Sequence, residues 1–328
     1  MIFPKLLATG VALAMAVEAQ AGGWLLVCNK GEQTLGIIDP VKGRQVAVIP
    51  EQGVTGHEVV ASSDGALAFV PIYGNSGVGK PGTDGQLLRV VDLAKREIVA
   101  TVDFGKGVRP HCAVIGPKNH QLYVTTEVEN CVTEIDAKTF KILGKIPTGQ
   151  AESHMLTISS DGQRGYTANV GPGTVSVLDM TGRKTVTIIP ISKQTQRISI
   201  STDDKWVFTA DQTAPRMALV DTAKNAVGGW IQLPATAYGT APTPDGRWLV
   251  AALPGANQVA IIDLKKGAVA QTLDVPPAPQ EVVLQADGAL AYVSCDASHE
   301  IAVIDTKFWK VTKLINAGKG ADGLAWAK

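Results

Sequence analysis

The sequence predicts an all-β fold, a seven-bladed β-propeller, because a unit of 42 residues recurs along nearly the whole chain. One sign of the unit is an aspartate that closes an apolar stretch, as at the end of Leu35 to Asp39. Another is a polar turn, often Asp-Gly, which favours a tight hairpin between the apolar runs on either side. In addition, no stretch after residue 21 shows sustained helical periodicity. The recurring aspartates are Asp39, Asp92, Asp136, Asp179, Asp221, Asp263 and Asp305.

The intervals between these aspartates are 53, 44, 43, 42, 42 and 42 residues, so the unit that ends at Asp92 is the longest. Each unit predicts four short strands. In one repeat they are Met155 to Ser159, Arg164 to Asn169, Thr174 to Asp179 and Thr185 to Ile189. Four antiparallel strands at this period form one blade of a propeller. The turns that recur with them are Ser63-Asp64-Gly65, Pro117-Lys118-Asn119, Ser160-Asp161-Gly162, Thr202-Asp203-Asp204, Pro244-Asp245-Gly246 and Ala286-Asp287-Gly288.

The two ends of the repeat region predict how the ring closes. After residue 21 the chain begins with a second strand, Trp24 to Asn29, and it ends with a lone first strand, Gly323 to Ala327. These two pieces complete one blade, so we expect the C-terminal strand to join the N-terminal blade and shut the ring. Counting this shared blade gives seven blades in a single domain, residues 22–328.

Residues 1–21 predict a signal peptide rather than part of the fold. Lys5 supplies a positive charge, Leu6 to Val17 is a short apolar run, and Ala19-Gln20-Ala21 resembles a cleavage site. The run is too short to span a bilayer, and no later stretch is long enough. We therefore expect residues 22–328 to be periplasmic or secreted, without a membrane span. A retained N-terminal anchor is the alternative.

The composition narrows the classes of partner. Thirty basic residues balance thirty acidic ones, which argues against a nucleic-acid partner. Four cysteines are too few for a disulfide scaffold. Export would allow one or two disulfides, and small buried free thiols are an equal alternative. The four are Cys28, Cys112, Cys131 and Cys295.

Three segments carry a resemblance to a known repeat. Tyr123-Val124-Thr125-Thr126, Tyr166-Thr167-Ala168-Asn169 and Tyr292-Val293-Ser294-Cys295 resemble the YVTN repeat of bacterial β-propellers. The resemblance covers essentially all of residues 22–328 and implies the propeller fold. Related proteins include surface-layer proteins, lactonase-like enzymes, the haem-binding propeller of cytochrome-cd-type nitrite reductases and propellers encoded beside quinoprotein dehydrogenases. The resemblance therefore implies no single activity.

One position of the repeat is rich in histidine. In a propeller the first strand of each blade lines the central channel, and the residue seven before the turn aspartate lies where this strand begins. Three of the five histidines in the chain occupy this position in consecutive units. Equal offsets in equivalent strands predict equal depth, so we expect the three imidazoles to meet near the channel mouth. The seven residues of this ring are His57, His111, His154, Gln196, Tyr238, Gln280 and Asp322.

The three histidines predict a metal site, because neutral imidazole binds copper, iron, zinc or manganese and three ligands leave a coordination position open. Such binding would weaken below about pH 6, where imidazoles take up protons. Two alternatives are an anionic or organic ligand bound without metal and a structural role in contact with channel water. The other ring residues, Gln196, Tyr238, Gln280 and Asp322, are predicted to contact the ligand. The candidate acid–base residues are Glu58, Glu127, Tyr238 and Asp322.

The longest unit carries its extra residues between Tyr73 and Gln86. This segment connects a second strand to a third, on the same face as the histidines, so it predicts a binding loop, with an idle insertion as the alternative. Gly77-x-Gly79-x-x-Gly82 matches the dinucleotide fingerprint as a string. However, Pro81 and a strand follow where a phosphate site needs a helix, so we expect no nucleotide.

Together these features favour an exported propeller that binds a small-molecule ligand at its channel mouth through the three histidines, with a metal. If it is an enzyme, lyase, lactone-hydrolase and oxidoreductase chemistry are all compatible with such a site. The alternative is a non-catalytic binding or interaction propeller that serves an exported redox enzyme, such as a dehydrogenase, or the cell envelope.

Overall fold

The repeated apolar stretches form four-stranded antiparallel sheets, as the period predicts. A computed structural model describes residues 22–328, and the predicted signal peptide, residues 1–21, lies outside the described residues. Within this part of the chain there are seven such sheets, arranged as the seven blades of a β-propeller. Two short 3-10 turns interrupt the strands, Glu127–Glu129 and Pro254–Ala256. In residues 22–328 no helix is long and apolar enough to cross a membrane.

The strands are numbered in chain order. Those of the first half are β1 (Trp24–Asn29), β2 (Thr34–Asp39), β3 (Arg44–Pro50), β4 (Val60–Ala61), β5 (Leu67–Gly74), β6 (Asp84–Asp92), β7 (Glu97–Asp103), β8 (Pro110–Ile115), β9 (Leu122–Thr126), β10 (Cys131–Ile135), β11 (Ile142–Pro147), β12 (Ser153–Ile158), β13 (Arg164–Asn169), β14 (Thr174–Asp179) and β15 (Lys184–Pro190). Those of the second half are β16 (Thr195–Ile200), β17 (Trp206–Asp211), β18 (Arg216–Asp221), β19 (Ala226–Gln232), β20 (Thr240–Pro242), β21 (Trp248–Leu253), β22 (Gln258–Asp263), β23 (Ala268–Asp274), β24 (Pro279–Leu284), β25 (Leu290–Cys295), β26 (Glu300–Asp305), β27 (Lys310–Asn316) and β28 (Ala321–Ala327).

The ring closes as predicted, with β28 as the inner strand of the N-terminal blade. Blade 1 has the strand order β28-β1-β2-β3, and blades 2 to 7 each take the next four strands in turn. Within blade 1, Leu26 pairs with Ala325 and Trp24 pairs with Ala327. The closing strand also reaches blade 2, because the Gly323 amide donates a 2.9 Å hydrogen bond to the carbonyl of His57. Both chain ends therefore hold one blade together.

The core lies between neighbouring blades rather than at one centre. Leu26 and Cys28 of blade 1 share one buried cluster with Val70 and Ile72 of blade 2. All four cysteines are buried and free, so the disulfides that export would allow are not formed. They pack as small apolar groups.

A β-bulge lies near the beginning of the inner strand in blades 1, 3, 4, 5 and 7. In blade 4, Ser153 pairs with Asn169 and Met155 with Ala168, so His154 between them has no partner in the ladder. A bulge breaks the strict alternation of a strand and re-aims the side chains at that point. The bulge at the beginning of the inner strand places the predicted ring residue and the residue after it at the channel mouth.

Deleting residues 323–328 should lower the melting temperature by roughly 10 °C or more, because most of β28 and its buried apolar side chains are lost and two sheet edges open. Differential scanning calorimetry measures this change. Deleting Lys328 alone, which is exposed and follows β28, should leave the melting temperature unchanged. An equal melting temperature for both truncated chains would contradict the closure role of β28.

Candidate functional site

The structure brings the three histidines of blades 2, 3 and 4 side by side at the channel mouth. The ring centroids of His57 and His111 are 5.5 Å apart, and those of His111 and His154 are 3.5 Å apart. His111 and His154 stack nearly face to face, with 29° between their planes, whereas His57 meets His111 edge-on at 80°. His111 and His154 are buried, and His57 is partly open.

Tyr73, at the end of β5, completes this cluster. Its ring centroid lies 4.9 Å from that of His57, 5.2 Å from His111 and 5.8 Å from His154. The ring is fully buried. The sequence placed Tyr73 at the edge of a loop and gave no sign of this contact. We call the four residues the imidazole cluster.

Glu127 fixes one histidine of the cluster. Its Oε2 atom accepts a 2.7 Å hydrogen bond from the Tyr73 hydroxyl and lies 3.3 Å from Nδ1 of His154. Burial raises the pKa of the Glu127 carboxyl, but the hydrogen bonds from His154, Tyr73 and the Gly79 amide outweigh it and leave the pKa below its ordinary value. An ionised carboxylate only accepts, so Nδ1 of His154 carries the proton and Nε2 keeps a free electron pair.

The insertion lies over the same three blades. Tyr73 and Gly74 belong to β5, and Asp84 begins β6, so the connection is 75–83, shorter than the predicted Tyr73 to Gln86. Part of the insertion extends a hairpin because Gly74 pairs with Asp84.

This connection, the 75–83 loop, is held by groups of blades 3 and 4. The Gly79 amide donates to Oε1 of Glu127 at 3.3 Å, and Arg109 donates to the Lys80 carbonyl at 2.7 Å. Gly79 adopts φ +64° against the carboxylate of Glu152, which leaves no space for a Cβ. The loop therefore reaches from blade 2 across blade 3 to blade 4.

The histidines of the cluster are neutral at neutral pH. Burial lowers the pKa of His57 to about 4. Burial, then the neighbouring His154 and His57, lower the pKa of His111 well below its ordinary value. For His154, burial lowers the pKa and Glu127 offsets only part of the change. The pH at which ligand binding should weaken is thus lower than the value near 6 that ordinary imidazoles would give.

The geometry of the stack bears on the metal prediction. Nδ1 of His111 is buried and has no hydrogen-bond partner among the described residues. However, the stacked rings of His111 and His154 direct their in-plane electron pairs alongside each other rather than to one point. Among residues 22–328, no group of three or more His, Cys, Asp or Glu side chains is arranged to hold a metal ion. An ion shared by all three imidazoles therefore does not fit the rings as they lie.

Arg197 of blade 5 occupies the channel beneath the cluster. Its Nη1 atom donates to Glu58 of blade 2 and, at 2.8 Å, to Glu281 of blade 7. Its Nη2 atom lies 3.6 Å from Oδ1 of Asp322 in blade 1. The guanidinium also lies 4.4 Å from the ring centroid of Tyr238 in blade 6.

Arg197 thus meets four other blades through these contacts, and a fifth through Met155 of blade 4, whose sulfur is 3.6 Å from Nη1. Because those blades surround the channel, the guanidinium must lie close to its axis. Burial alone would lower the pKa of Arg197, but the carboxylates of Glu58 and Glu281 raise it well above its ordinary value. We call Arg197 and its three carboxylate partners the axial hub.

The remaining predicted ring residues make polar contacts outside the imidazole cluster. Gln196 donates to the Tyr238 hydroxyl at 3.0 Å, and both are partly open. Asp322 accepts from Lys30 at 3.1 Å. Gln280 is also partly open, and its amide makes one long hydrogen bond, of 3.4 Å, to the Ala278 carbonyl.

The structure therefore brings six of the predicted residues into two groups and leaves Gln196, Tyr238 and Gln280 outside both. His57, His111, His154 and Glu127 meet at the imidazole cluster, whereas Glu58 and Asp322 belong to the axial hub. Their roles as metal ligands or acid–base groups stay predictions. Sequence reasoning missed Tyr73, Arg197, Glu281, Lys30 and Arg109. Arg197 and Glu281 had a signal, because each directly follows a ring residue and puts a charge on an inner strand, as Glu58 does.

Comparisons with known proteins bear on the fold. No protein-family model matches the chain, and no curated protein matches it. Hydrazine synthase of Kuenenia stuttgartiensis is similar in structure, with TM-score 0.75 and 18% identity over 87% of this chain and 93% of that one. A protein of unknown function from Desulfotomaculum acetoxidans gives TM-score 0.76 and 13% identity over 93% of this chain and 99% of the other.

A third similar structure is dihydro-heme d1 dehydrogenase NirN in complex with DHE, with TM-score 0.67 and 13% identity over 94% of this chain and 76% of that one. At such low identity these likenesses establish the β-propeller fold alone. They do not extend to the YVTN family, which stays a resemblance of the sequence motifs.

Lowering the pH should destabilise the metal-free protein through His111. Its folded-state pKa is depressed, so the unfolded chain takes up a proton first, and stability is lost as the pH falls below about 6.5. His111→Asn should remove this contribution. We expect the wild type to lose up to about 1.4 kcal/mol per pH unit more than the variant in the acid range. Urea unfolding in the presence of EDTA, at a series of pH values, measures the free energy of unfolding of both proteins. His120→Asn, at an exposed site, is the control, and equal pH profiles for wild type and His111→Asn would contradict the assignment.

Replacing Arg197 with methionine should destabilise the ring by about 3–5 kcal/mol, because the buried acidic groups of Glu58, Glu281 and Asp322 would lose their shared cation and hydrogen-bond donor. Urea unfolding at neutral pH measures this loss. Arg216→Met is the matched control, since Arg216 also pairs with a buried aspartate, Asp211, and lies over Trp230, but is 38% exposed. A loss no larger than that of the control would show that the axial hub does not hold the blades together.

Proposed function

We propose that this protein binds a small ligand at the channel mouth, on the imidazole cluster beneath the 75–83 loop. The observation that carries the proposal is the grouping of three neutral imidazoles against Tyr73, with the buried Nδ1 of His111 left without a hydrogen-bond partner among the described residues. A buried polar atom without a partner costs free energy, and a ligand supplies the missing contact.

The charges around the cluster indicate what kind of ligand it takes. Neutral imidazoles do not attract an anion, and the nearby cations Arg197, Lys30 and Arg109 are each already paired with carboxylates. Nε2 of His154, with its free electron pair, is a further acceptor. The site is therefore suited to a ligand that accepts an electron pair or donates a hydrogen bond.

Two ligand classes meet this requirement. The first is a transition metal ion, of copper, iron, zinc or manganese, for which the stacked rings of His111 and His154 would have to turn apart. When bound, such an ion supplies a Lewis acid or redox centre. The second is a metal-bearing cofactor of the haem type, which needs only one imidazole nitrogen. It draws support from the shared fold of NirN, a dihydro-heme d1 dehydrogenase. We favour the second because it does not require the stacked rings of His111 and His154 to turn apart.

The test uses residues 22–328 without a polyhistidine tag and two probes, Co²⁺ and hemin. Binding is followed by the visible absorption of each probe and by the shift in melting temperature. We expect at least hemin to bind and its affinity to fall tenfold or more in His57→Ala or His111→Ala. Binding of Co²⁺ that depends on all three histidines would favour the ion instead.

His120→Ala is the matched control, because His120 is an exposed histidine. Its imidazole contacts the hydroxyl of Ser63, a residue of the repeated turn of blade 2. This variant should bind each probe as the wild type does. Failure of both probes to bind, or equal binding by the His111→Ala variant, would overturn the proposal. If a probe binds as expected, turnover assays on the loaded protein separate an enzyme from a binding module.

A further inference from the structure

The face opposite the histidines carries an exposed apolar patch on blades 7 and 1. Val41, in the turn between β2 and β3, is 77% exposed, and Phe308, in the turn between β26 and β27, is 63% exposed. They are the two most exposed large apolar side chains among the described residues. The two blades are neighbours in the ring, so the side chains lie on one edge. Leu314 and Val48, on the adjoining outer strands, are about half exposed.

Basic side chains surround these apolar residues. The ammonium groups of Lys307 and Lys310 lie 5.3 and 5.5 Å from the ring centroid of Phe308. Lys313 crosses from blade 7 to blade 1, because its ammonium fills the space that a Cβ on Gly43 would need. Lys42 and Arg44 follow Val41 in the chain, and both are exposed.

The turns and outer strands of this edge carry an excess of positive charge. The strands β3 and β27 contain no carboxylate. The carboxylates of the two turns are Asp39, which pairs with Lys42, and Asp305, which accepts hydrogen bonds from the backbone of its own turn. These two turns and two strands therefore carry five cations and two carboxylates, in a chain whose formal net charge is zero. We call this edge the basic apolar patch.

We propose that the basic apolar patch docks on an anionic lipid surface. Apolar turn tips enter the headgroup region of a bilayer while lysines and arginines beside them meet anionic lipids. An acidic protein partner fits less well, because protein–protein interfaces are depleted in lysine and four of the five cations here are lysines.

The first described residue lies on the same face as the patch. Gly22 lies against Val41, since a Cβ built on it would be 3.9 Å from the Val41 side chain. Docking on this face would leave the imidazole cluster, on the opposite face, turned away from the membrane.

The test is flotation of residues 22–328, which contain the whole closed ring, with two kinds of vesicle. We expect binding to vesicles that contain phosphatidylglycerol and none to pure phosphatidylcholine, with binding weakened by salt. Reversing two charges, Lys307→Glu with Lys310→Glu, should weaken binding tenfold or more, and Phe308→Ser should weaken it as well.

Lys205→Glu with Lys224→Glu is the matched control, because these lysines lie in exposed turns of blade 5 with 73% and 79% of their side chains exposed. It should bind vesicles as the wild type does. Absence of vesicle binding, or equal loss in patch and control variants, would overturn the proposal. Self-association that Phe308→Ser abolishes, without vesicle binding, would assign the patch to a second copy and overturn it too. The outcome is independent of the imidazole cluster, because His111→Ala should bind vesicles normally.

Discussion

The structure of the channel mouth depends on the ion pairs that the buried guanidinium of Arg197 makes with acidic side chains of other blades. A propeller has no common core, since each apolar cluster here joins two or three consecutive blades, and the inner strands would otherwise meet around an open channel. Arg197 places a charge there that must be compensated, and its planar fork offers donors in several directions at once. The acidic side chains that pair with it come from blades 1, 2 and 7.

These contacts also set the geometry of the site above. Glu58 follows His57 in the chain, and Gly323, which follows Asp322, donates its amide to the His57 carbonyl. Arg197 holds the side chains of Glu58 and Asp322, and their positions therefore set that of the backbone that carries His57. Burial and the neighbouring carboxylates raise the pKa of Glu58, and Arg197 offsets only part of this rise. The charge of the axial hub therefore depends on opposing effects of similar size. The imidazole cluster therefore lies above paired charged groups rather than above a packed apolar core.

The two faces of the ring differ in the length of their connections, and their properties follow from this. On the face of the histidines, the long β5–β6 connection can cross two blades and cover the imidazole cluster, tied down by Glu127 and Arg109. On the other face the turns are short and tight, so side chains at their tips, such as Val41 and Phe308, cannot fold back onto the ring. One face can therefore enclose a ligand while the other presents an exposed, positively charged edge.

The fold and the neighbourhood of the histidines could be predicted from the sequence. A period of 42 residues fixes the blade, and the lone strands at the two ends fix the closure, because each repeat must bury its faces against its neighbours. Equal offsets brought His57, His111 and His154 to one depth. How their rings are turned, and the contact of Tyr73 with all three, depend on the tertiary structure. Bulges in the inner strands, an insertion that shifts Tyr73 out of register, and contacts of Arg197 across the channel are all long-range. They depend on packing between blades, which no local pattern in one repeat records.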